Sequence, residues 1–136
     1  MELNARYAGG VKFEIAVRGH RVLCDQPVEN GGADEGMTPP EFLLASLATC
    51  GGYYAAEYLN ARKLSTEGLQ VRVSADKATQ PARLASFQIE VSLAECDERH
   101  RAGLLRAVKA CLIHNTLVSS PAIEISVVSA SVPAHA

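Results

Sequence analysis

Two cysteines, Cys50 and Cys111, are the residues of this chain whose type and surroundings are best suited to chemistry. Each lies in a helix-like run of small and aliphatic residues, and about sixty positions separate them, too many for a local metal-binding motif. Free cysteine is among the most buried residue types, so the two thiols are either core residues or a redox pair. The residues around them favour the redox pair.

The two other cysteines, Cys24 and Cys96, occur in no recognisable motif and are predicted to be structural. A metal site would need ligands such as His20, Cys24 and His114, but no C-x-x-C or H-x-x-x-H spacing occurs. The sequence therefore disfavours a metal site.

Composition limits the class of protein. The 136 residues fit one domain, which is predicted to span 1–136. The composition, with 48% hydrophobic and 21% charged residues, is ordinary for a globular protein. A net charge of −2 does not indicate the basic surface that binding to nucleic acid or an anionic membrane would need. The longest uncharged run, residues 42–56, is too short and mixed to span a bilayer. The N-terminus lacks the apolar stretch of a secretory signal, so we predict a cytoplasmic protein with reduced thiols.

Three short strands are predicted at the start of the chain. Apolar residues alternate from Val11 to Val17, which is the period of a half-buried strand. Turn-forming glycines flank this run on both sides, so residues 3–8 and 20–24 are predicted to be its antiparallel neighbours. The Pro-, Gly- and acid-rich residues 25–38 are predicted to form a loop.

A long helix is predicted to start after Thr38 and to end near Arg62. Thr38 and Glu41 form a Thr-x-x-Glu capping box, and proline is tolerated in the first helical turn between them. Basic residues at the far end suit the negative end of the helix dipole. Few charges interrupt the apolar and small residues, so this helix is predicted to be central and buried nearly all round.

A hairpin, a second helix and a closing strand complete the predicted order. Alternating apolar residues predict paired strands over residues 69–73 and 87–93. Asp97 can cap a second helix whose apolar face includes Cys111 and extends to Leu112, and a short helix is expected near residues 115–119. The order β-β-β-α-β-β-α-β indicates an α+β domain with mainly antiparallel strands. The apolar positions of its closing strand are Ile123, Ile125 and Val127.

With both cysteines placed on helices, two segments make the chain resemble the OsmC/Ohr family of organic hydroperoxide resistance proteins. The first is Gly36-Met-Thr-Pro-Pro-Glu-Phe-Leu-Leu-Ala-Ser-Leu-Ala-Thr-Cys50, a capped helix start followed by a Leu-rich run and a cysteine. The second is Cys111-Leu-Ile-His-Asn-Thr-Leu117. The resemblance extends over nearly the whole chain, in element order as well as in motifs.

This resemblance implies an OsmC-like fold and a thiol-dependent peroxidase that reduces organic hydroperoxides. It also implies an intertwined homodimer whose active sites lie at the subunit interface. Cys50 matches the peroxidatic cysteine of the family and Cys111 the resolving one. No metal or bound organic cofactor is implied, because electrons come from an external dithiol.

The chemistry of two thiols in apolar surroundings agrees with this expectation. A thiolate attacks the distal peroxide oxygen, an alcohol leaves, and the sulfenic acid that remains condenses with a second thiol. Apolar burial contributes ~0.8 kcal/mol per CH₂, which favours an organic peroxide. The same burial raises a thiol pKa, so the thiolate needs a cationic or hydrogen-bonding partner, and Cys50 lies mid-helix, where the dipole helps little.

Glu41 is the carboxylate expected to activate Cys50, but its position departs from the family pattern. That pattern has a carboxylate ten residues before the cysteine, where this chain has Pro40, and Glu41 lies nine before. Nine residues of ideal helix place Glu41 half a turn out of phase and ~13.5 Å along the axis. Glu41 therefore either approaches Cys50 through an irregular first turn or another subunit, or it only caps the helix.

Three arginines of the N-terminal strands, Arg6, Arg18 and Arg21, are candidates for the cation beside the thiolate. Arg18 is favoured because an Arg-Gly-His turn can present it to a neighbouring subunit.

His114 and its neighbours either line the pocket or cap the short helix. Tyr53 and Tyr54 either line a substrate channel or contact the second subunit.

Two other functions stay open. The displaced glutamate is compatible with a non-peroxidase OsmC-like dimer that binds a small apolar or electrophilic ligand between its subunits. General thiol–disulfide exchange is the third possibility, although the absence of a C-x-x-C motif disfavours it.

Overall fold

A computed structural model, which describes residues 1–129, contains two antiparallel sheets and three α-helices within that range. The elements in chain order are β1 (Asn4–Tyr7), β2 (Phe13–Val17), β3 (His20–Cys24), α1 (Pro39–Ala61), β4 (Gln70–Ala78), β5 (Arg83–Ser92), α2 (Glu98–Lys109) and α3 (Leu112–Val118). The predicted α+β class with antiparallel strands is confirmed. The predicted limits of the domain, 1–136, include residues outside the described range.

Strands β1, β2 and β3 form a meander with β2 in the centre. Glu14 of β2 binds the guanidinium groups of both flanking strands, Arg6 at 3.0 Å and Arg21 at 2.9 Å. Several large apolar side chains of this part of the chain are exposed in the single subunit. They are Leu3, Tyr7, Phe13 and Val22.

A buried carboxylate, Asp25, organises the loop between β3 and α1. Its side chain is fully buried and accepts backbone N–H bonds from Gln26 at 2.8 Å, Ala33 at 3.1 Å and Glu35 at 3.0 Å. The loop packs so closely on β3 that a Cβ on Gly36 would lie 2.1 Å from a backbone carbonyl oxygen.

Helix α1 starts at Pro39, as predicted, and its regular spacing buries one stripe of side chains. Residues four apart along the helix form this stripe, and α2 and β4 are its main packing partners. The prediction that α1 is buried nearly all round is wrong for the single subunit, because these elements cover only one side and Tyr53 is 62% exposed. The buried residues of α1 are Leu47, Gly51, Ala55 and Leu59.

The second half of the chain follows the predicted order up to α3. Strands β4 and β5 form the predicted hairpin, and Asp97 caps α2 by accepting the N–H of Arg99 at 3.1 Å. Helix α2 ends at Lys109, so the prediction that Cys111 lies on its apolar face is wrong. Cys111 instead starts the short helix α3, which begins earlier than expected.

The predicted closing strand does not form within the single chain. Residues 121–129 contain neither helix nor strand, and the alternating apolar side chains there are largely exposed. The pattern had indicated a strand, but a strand needs a neighbouring strand to satisfy its backbone groups, and none of the strands within residues 1–129 pairs with this segment. None of the helices within residues 1–129 has the length and apolar character needed to cross a membrane.

Candidate functional site

The fold brings Cys50 and Cys111 together. Cys50 lies on the fourth turn of α1, and Cys111 is the N-cap of α3, which packs against α1. The two thiols are hydrogen-bonded to each other. Cys50 is half-buried, whereas Cys111 is 1% exposed, so a reagent from solvent reaches Cys50 more readily.

Cys50 is the thiol whose surroundings favour the thiolate. Burial acts to raise its pKa, but hydrogen bonds from the Cys111 thiol and from the backbone N–H groups of Ile113 and Leu112 outweigh it. The net result is a pKa below the ordinary thiol value. At this site hydrogen-bond donors lower the pKa of a thiol, an effect that a neighbouring cation can also have.

The pKa of Cys111 is shifted in the opposite direction. Burial raises its pKa, and its hydrogen bond to Cys50 raises the pKa further, against the lowering effect of the N–H groups of His114 and Ile113. The pKa of Cys111 is therefore above the ordinary thiol value. The two neighbouring thiols therefore have pKa values that are shifted in opposite directions.

The break between α2 and α3 creates this arrangement. Cys111 has an extended backbone (φ −53°, ψ 129°), and its sulfur accepts the N–H of His114 at 3.4 Å. Because the first N–H groups of a helix lack partners within it, those of Leu112 and Ile113 are free to reach Cys50. Sequence reasoning missed these two donors, since no glycine or proline lies between Lys109 and Leu112 to mark the break.

Glu41 caps α1. Its carboxylate accepts the backbone N–H of Thr38 at 2.8 Å, completing the capping box. Hydrogen bonds from the backbone and side chain of Thr38 lower the pKa of Glu41. The first turn of α1 is regular, so the irregular turn that would direct Glu41 towards Cys50 within one subunit is not present.

The three N-terminal arginines differ in their surroundings. Arg6 and Arg21 both bind Glu14. Arg18 is exposed at the turn between β2 and β3, where it adopts a positive φ of 49°. Among residues 1–129 its side chain has neither an ion pair nor a hydrogen bond, and it is not brought to Cys50 by contacts within this subunit.

The polar residues after Cys111 belong to α3. Thr116 donates its hydroxyl to the Leu112 carbonyl at 2.8 Å, and the backbone N–H of Asn115 binds the carbonyl of Cys111 at 3.0 Å. The cap of this helix is Cys111 itself. Tyr53 and Tyr54 pack edge to face, with ring centroids 5.4 Å apart, beyond Cys50 on α1.

The other cysteines lie apart from the pair. Cys24 is buried at the end of β3, and Cys96 is exposed just before α2; all four cysteines are free thiols. Within the described part of the chain, no three His, Cys, Asp or Glu side chains are grouped to hold a metal ion.

Comparison with known proteins gives one family match. Residues 31–126 match the family described as OsmC-like protein, a stretch that contains both Cys50 and Cys111. Among curated protein sequences, none matches the chain.

Solved structures with similar folds cover most of the chain. A Psychrobacter arcticus 273-4 protein, described as an osmotic stress induced and detoxification response protein, has a TM-score of 0.76 at 20% identity over 84% of this chain and 85% of its own. An OsmC-like protein of Mycoplasma pneumoniae has a TM-score of 0.73 at 19% identity, over 88% and 87%. An organic hydroperoxide resistance protein of Vibrio cholerae, with captopril in one active site, has 0.66 at 16%, over 88% and 86%. At these identities the likeness establishes the fold.

Proposed function

The chain belongs to the OsmC-like protein family, and we propose that it is a thiol-dependent peroxidase that reduces organic hydroperoxides. Cys50 is the nucleophile and Cys111 the resolving thiol. The proposal places the reaction in the cytoplasm, where thiols are kept reduced and a dithiol can serve as electron donor.

The observation that carries the proposal is the hydrogen-bonded pair of unlike thiols. Cys50 has a lowered pKa and partial exposure, as a nucleophile requires, while Cys111 is buried beside it and has a raised pKa. A structural pair of core cysteines would not need pKa values shifted in opposite directions. Some solved relatives of similar fold are called organic hydroperoxide resistance proteins, which supports the same reading.

The reaction balances with these two residues and one external reductant. The Cys50 thiolate attacks the distal oxygen, the O–O bond breaks, and the alkoxide takes a proton and leaves as the alcohol. The Cys50 sulfenic acid then condenses with the Cys111 thiol, forming a disulfide and releasing water. An external dithiol reduces the disulfide by exchange and is itself oxidised.

We extend the proposal to a homodimer, because the single subunit leaves three apolar surfaces uncovered. One side of α1, apolar residues around the meander, and the extended segment 121–129 are all exposed, and Ile125 is 90% exposed. Pairing of segment 121–129 with a strand edge of a second subunit would satisfy its backbone. In such a dimer Arg18 is the cation that the partner subunit can supply to Cys50, and Glu41 retains its capping role.

A ligand-binding function without turnover is the second candidate. It is favoured by one observation, the engagement of Glu41 in the helix cap, which leaves Cys50 without a carboxylate from its own helix. In that case the thiols would stay reduced when peroxide is added, and a small apolar ligand would stabilise the protein equally with or without Cys50.

The test adds one equivalent of cumene hydroperoxide to the reduced protein and maps disulfides by non-reducing peptide mass spectrometry. We expect a Cys50–Cys111 disulfide within the mixing time, catalytic peroxide loss with dithiol, and loss of both in Cys50→Ser. The matched control Cys24→Ser should keep both. Thiols that stay reduced, or disulfides scattered over Cys24 and Cys96, would overturn the proposal and leave the ligand-binding candidate.

A further inference from the structure

His114 is the titratable residue of the Cys111 segment that the reaction above does not use. It lies at the third position of α3, and its backbone N–H donates to the Cys111 sulfur at 3.4 Å. Side chains of a helix point towards its N-terminus, which here is Cys111. The half-buried imidazole is therefore directed back towards the turn that carries the Cys111 thiol.

The hydrogen bond of the His114 ring selects one tautomer. Its Nδ1 lies 3.4 Å from Oδ1 of Asn115. Because an amide oxygen only accepts hydrogen bonds, this contact requires the proton on Nδ1 and leaves a lone pair on Nε2. Imidazole is the side chain that exchanges a proton near neutral pH, so Nε2 is suited to accept one.

Cys111 needs a proton acceptor before it can attack Cys50. The thiolate is the nucleophile when a disulfide forms, but Cys111 is only 1% exposed, so a base from solvent has little access to its proton. Burial is also the largest cause that raises the pKa of Cys111, and burial persists when Cys50 is oxidised. The acceptor therefore has to be a group of the protein.

Few groups beside α3 can accept this proton. A cavity between α1, β5, α2 and α3 has His114 in its wall, and its other basic wall residues, Arg83 and Lys109, carry a positive charge already. None of the described residues that line this cavity is a carboxylate. The carboxylate of Glu41 is engaged in the cap of α1, and Cys50, once it is a sulfenic acid, is the electrophile. The imidazole is the group that remains.

We propose that His114 is the general base of the resolving step, in which its Nε2 takes the proton of the Cys111 thiol and passes it to the leaving oxygen. The Cys111 sulfur attacks the Cys50 sulfur, the S–S bond forms as the S–O bond breaks, and hydroxide leaves with the electron pair of that bond. The imidazolium protonates the hydroxide, which releases water and restores the neutral ring. The release of water rests on the proposed peroxidase function, whereas proton removal from Cys111 does not.

Proton removal is tested without peroxide, in a Cys24→Ser/Cys96→Ser background that keeps only the pair. Dithionitrobenzoate forms a mixed disulfide at Cys50 and releases one coloured thiolate. Attack by Cys111 then releases a second one, whose departure needs no proton. We expect this second release to be about a hundredfold slower in His114→Gln, because a general base typically contributes that much or more.

Two further readouts separate a base from a structural role. With rising pH the parent rate should reach a plateau once the imidazole is neutral, whereas the rate of His114→Gln should keep rising with the thiolate fraction. Added imidazole should restore part of the rate in His114→Ala, which leaves space for it. The matched control is His20→Gln, which removes an exposed imidazole from β3 and should behave like the parent.

Two results of this experiment would overturn the inference. One is an equal rate of second release in the parent and in His114→Gln at every pH. The other is a loss of the same size at every pH that imidazole does not restore, since this would mean that His114 only supports the structure of α3.

Cumene hydroperoxide tests the same base in the resolving step. We expect His114→Gln to form the Cys50 sulfenic acid, trapped by dimedone, at the parent rate and the Cys50–Cys111 disulfide about a hundredfold more slowly. The longer-lived sulfenic acid should also give more sulfinic acid. A disulfide formed as fast as in the parent would contradict the inference. Slow thiolate release from the mixed disulfide, without any reaction with peroxide, would support the base and remove the proposed peroxidase function.

Discussion

The backbone N–H of Thr38 donates to the carboxylate of Glu41 at 2.8 Å, across the first turn of α1. This contact occupies the carboxylate that the sequence offered as an activator of Cys50, which lies about 13.5 Å further along an ideal helix. The site around Cys50 is instead built by Cys111 and the first N–H groups of α3. The assignment of roles in this site therefore depends on separating helix capping from catalysis.

Substitution of Glu41 separates these roles. Glu41→Gln keeps an acceptor for the capping box, so we expect unchanged stability and unchanged peroxide reduction. Glu41→Ala removes the acceptor and should lower the midpoint of urea unfolding, with the rate per folded molecule unchanged. A general acid or base contributes about a hundredfold or more. A loss of that size in Glu41→Gln, without a change in unfolding, would show instead that Glu41 acts on Cys50.

The hydrogen bond from Cys111 is expected to set the protonation of Cys50. Because that bond and two backbone N–H groups lower the pKa of Cys50, its alkylation rate should reach half-maximum at a lower pH than that of an ordinary thiol. Cys111→Ala removes one donor, so the midpoint should move to higher pH. The pH dependence of iodoacetamide labelling at Cys50 measures this, with Cys24→Ala as the control. An unmoved midpoint would mean that the thiol–thiol bond does not stabilise the thiolate.

Arg18 is expected to act across subunits. If a partner subunit brings its guanidinium to Cys50, Arg18→Ala should reduce kcat/KM by about tenfold or more, the effect of losing one hydrogen bond to a charged group. Arg6→Ala, which removes a guanidinium bound to Glu14, is the matched control and should be near the parent. Mixing Arg18→Ala subunits, which keep this reduced activity, with inactive Cys50→Ser subunits should restore part of the lost activity, because the mixed dimer has one site with both residues. Without such restoration, an action of Arg18 across the interface is excluded.

Asp25 should make stability depend on acid pH. The pKa of Asp25 is lowered, mainly by the hydrogen bond that its carboxylate accepts from the backbone N–H of Glu35. Burial has the opposing effect but is outweighed. A group with a lowered folded-state pKa contributes stability above its unfolded pKa, about 3.9, and this is lost as pH falls through the folded value. Urea unfolding between pH 7 and pH 2 should show a smaller loss in Asp25→Asn than in the parent or in Asp34→Asn. Equal slopes in all three would contradict this.

Gly103 is expected to tolerate no side chain. A Cβ there would lie 2.1 Å from the hydroxyl of Tyr58, whose ring is held by a 3.2 Å bond to His100 and by Arg62 stacked 3.7 Å above it. Overpacking of this kind costs about 1–3 kcal/mol, so Gly103→Ala should lower the free energy of unfolding by that amount.

The matched control for this substitution is Gly52→Ala on α1. Its Cβ would lie 3.4 Å from Val71, and alanine gains up to about 1 kcal/mol of helix propensity over glycine. Urea unfolding of both variants measures the difference. An equal effect of the two substitutions would show that the space beside Tyr58 is not restrictive.

Local signals in the sequence were sufficient for most of the elements. The capping box of Thr38 and Glu41, the alternation in β2, β4 and β5, and the cap at Asp97 each depend on residues close together in the chain. Such signals also identified Cys50 and Cys111 as the residues to examine, through the runs that contain them. They could not show that the two thiols touch, because that contact depends on how α1 packs against α3.

The tertiary structure decided the features that depend on distant parts of the chain. The end of α2 at Lys109, the direction of the Ile113 N–H towards Cys50, and the burial of Asp25 have no local signature. The apolar alternation from Ile123 to Val127 likewise could not show whether a strand edge would be available to pair with it. A residue's own neighbours set its local backbone preference, whereas burial, hydrogen-bond partners and pKa depend on what the fold places beside it.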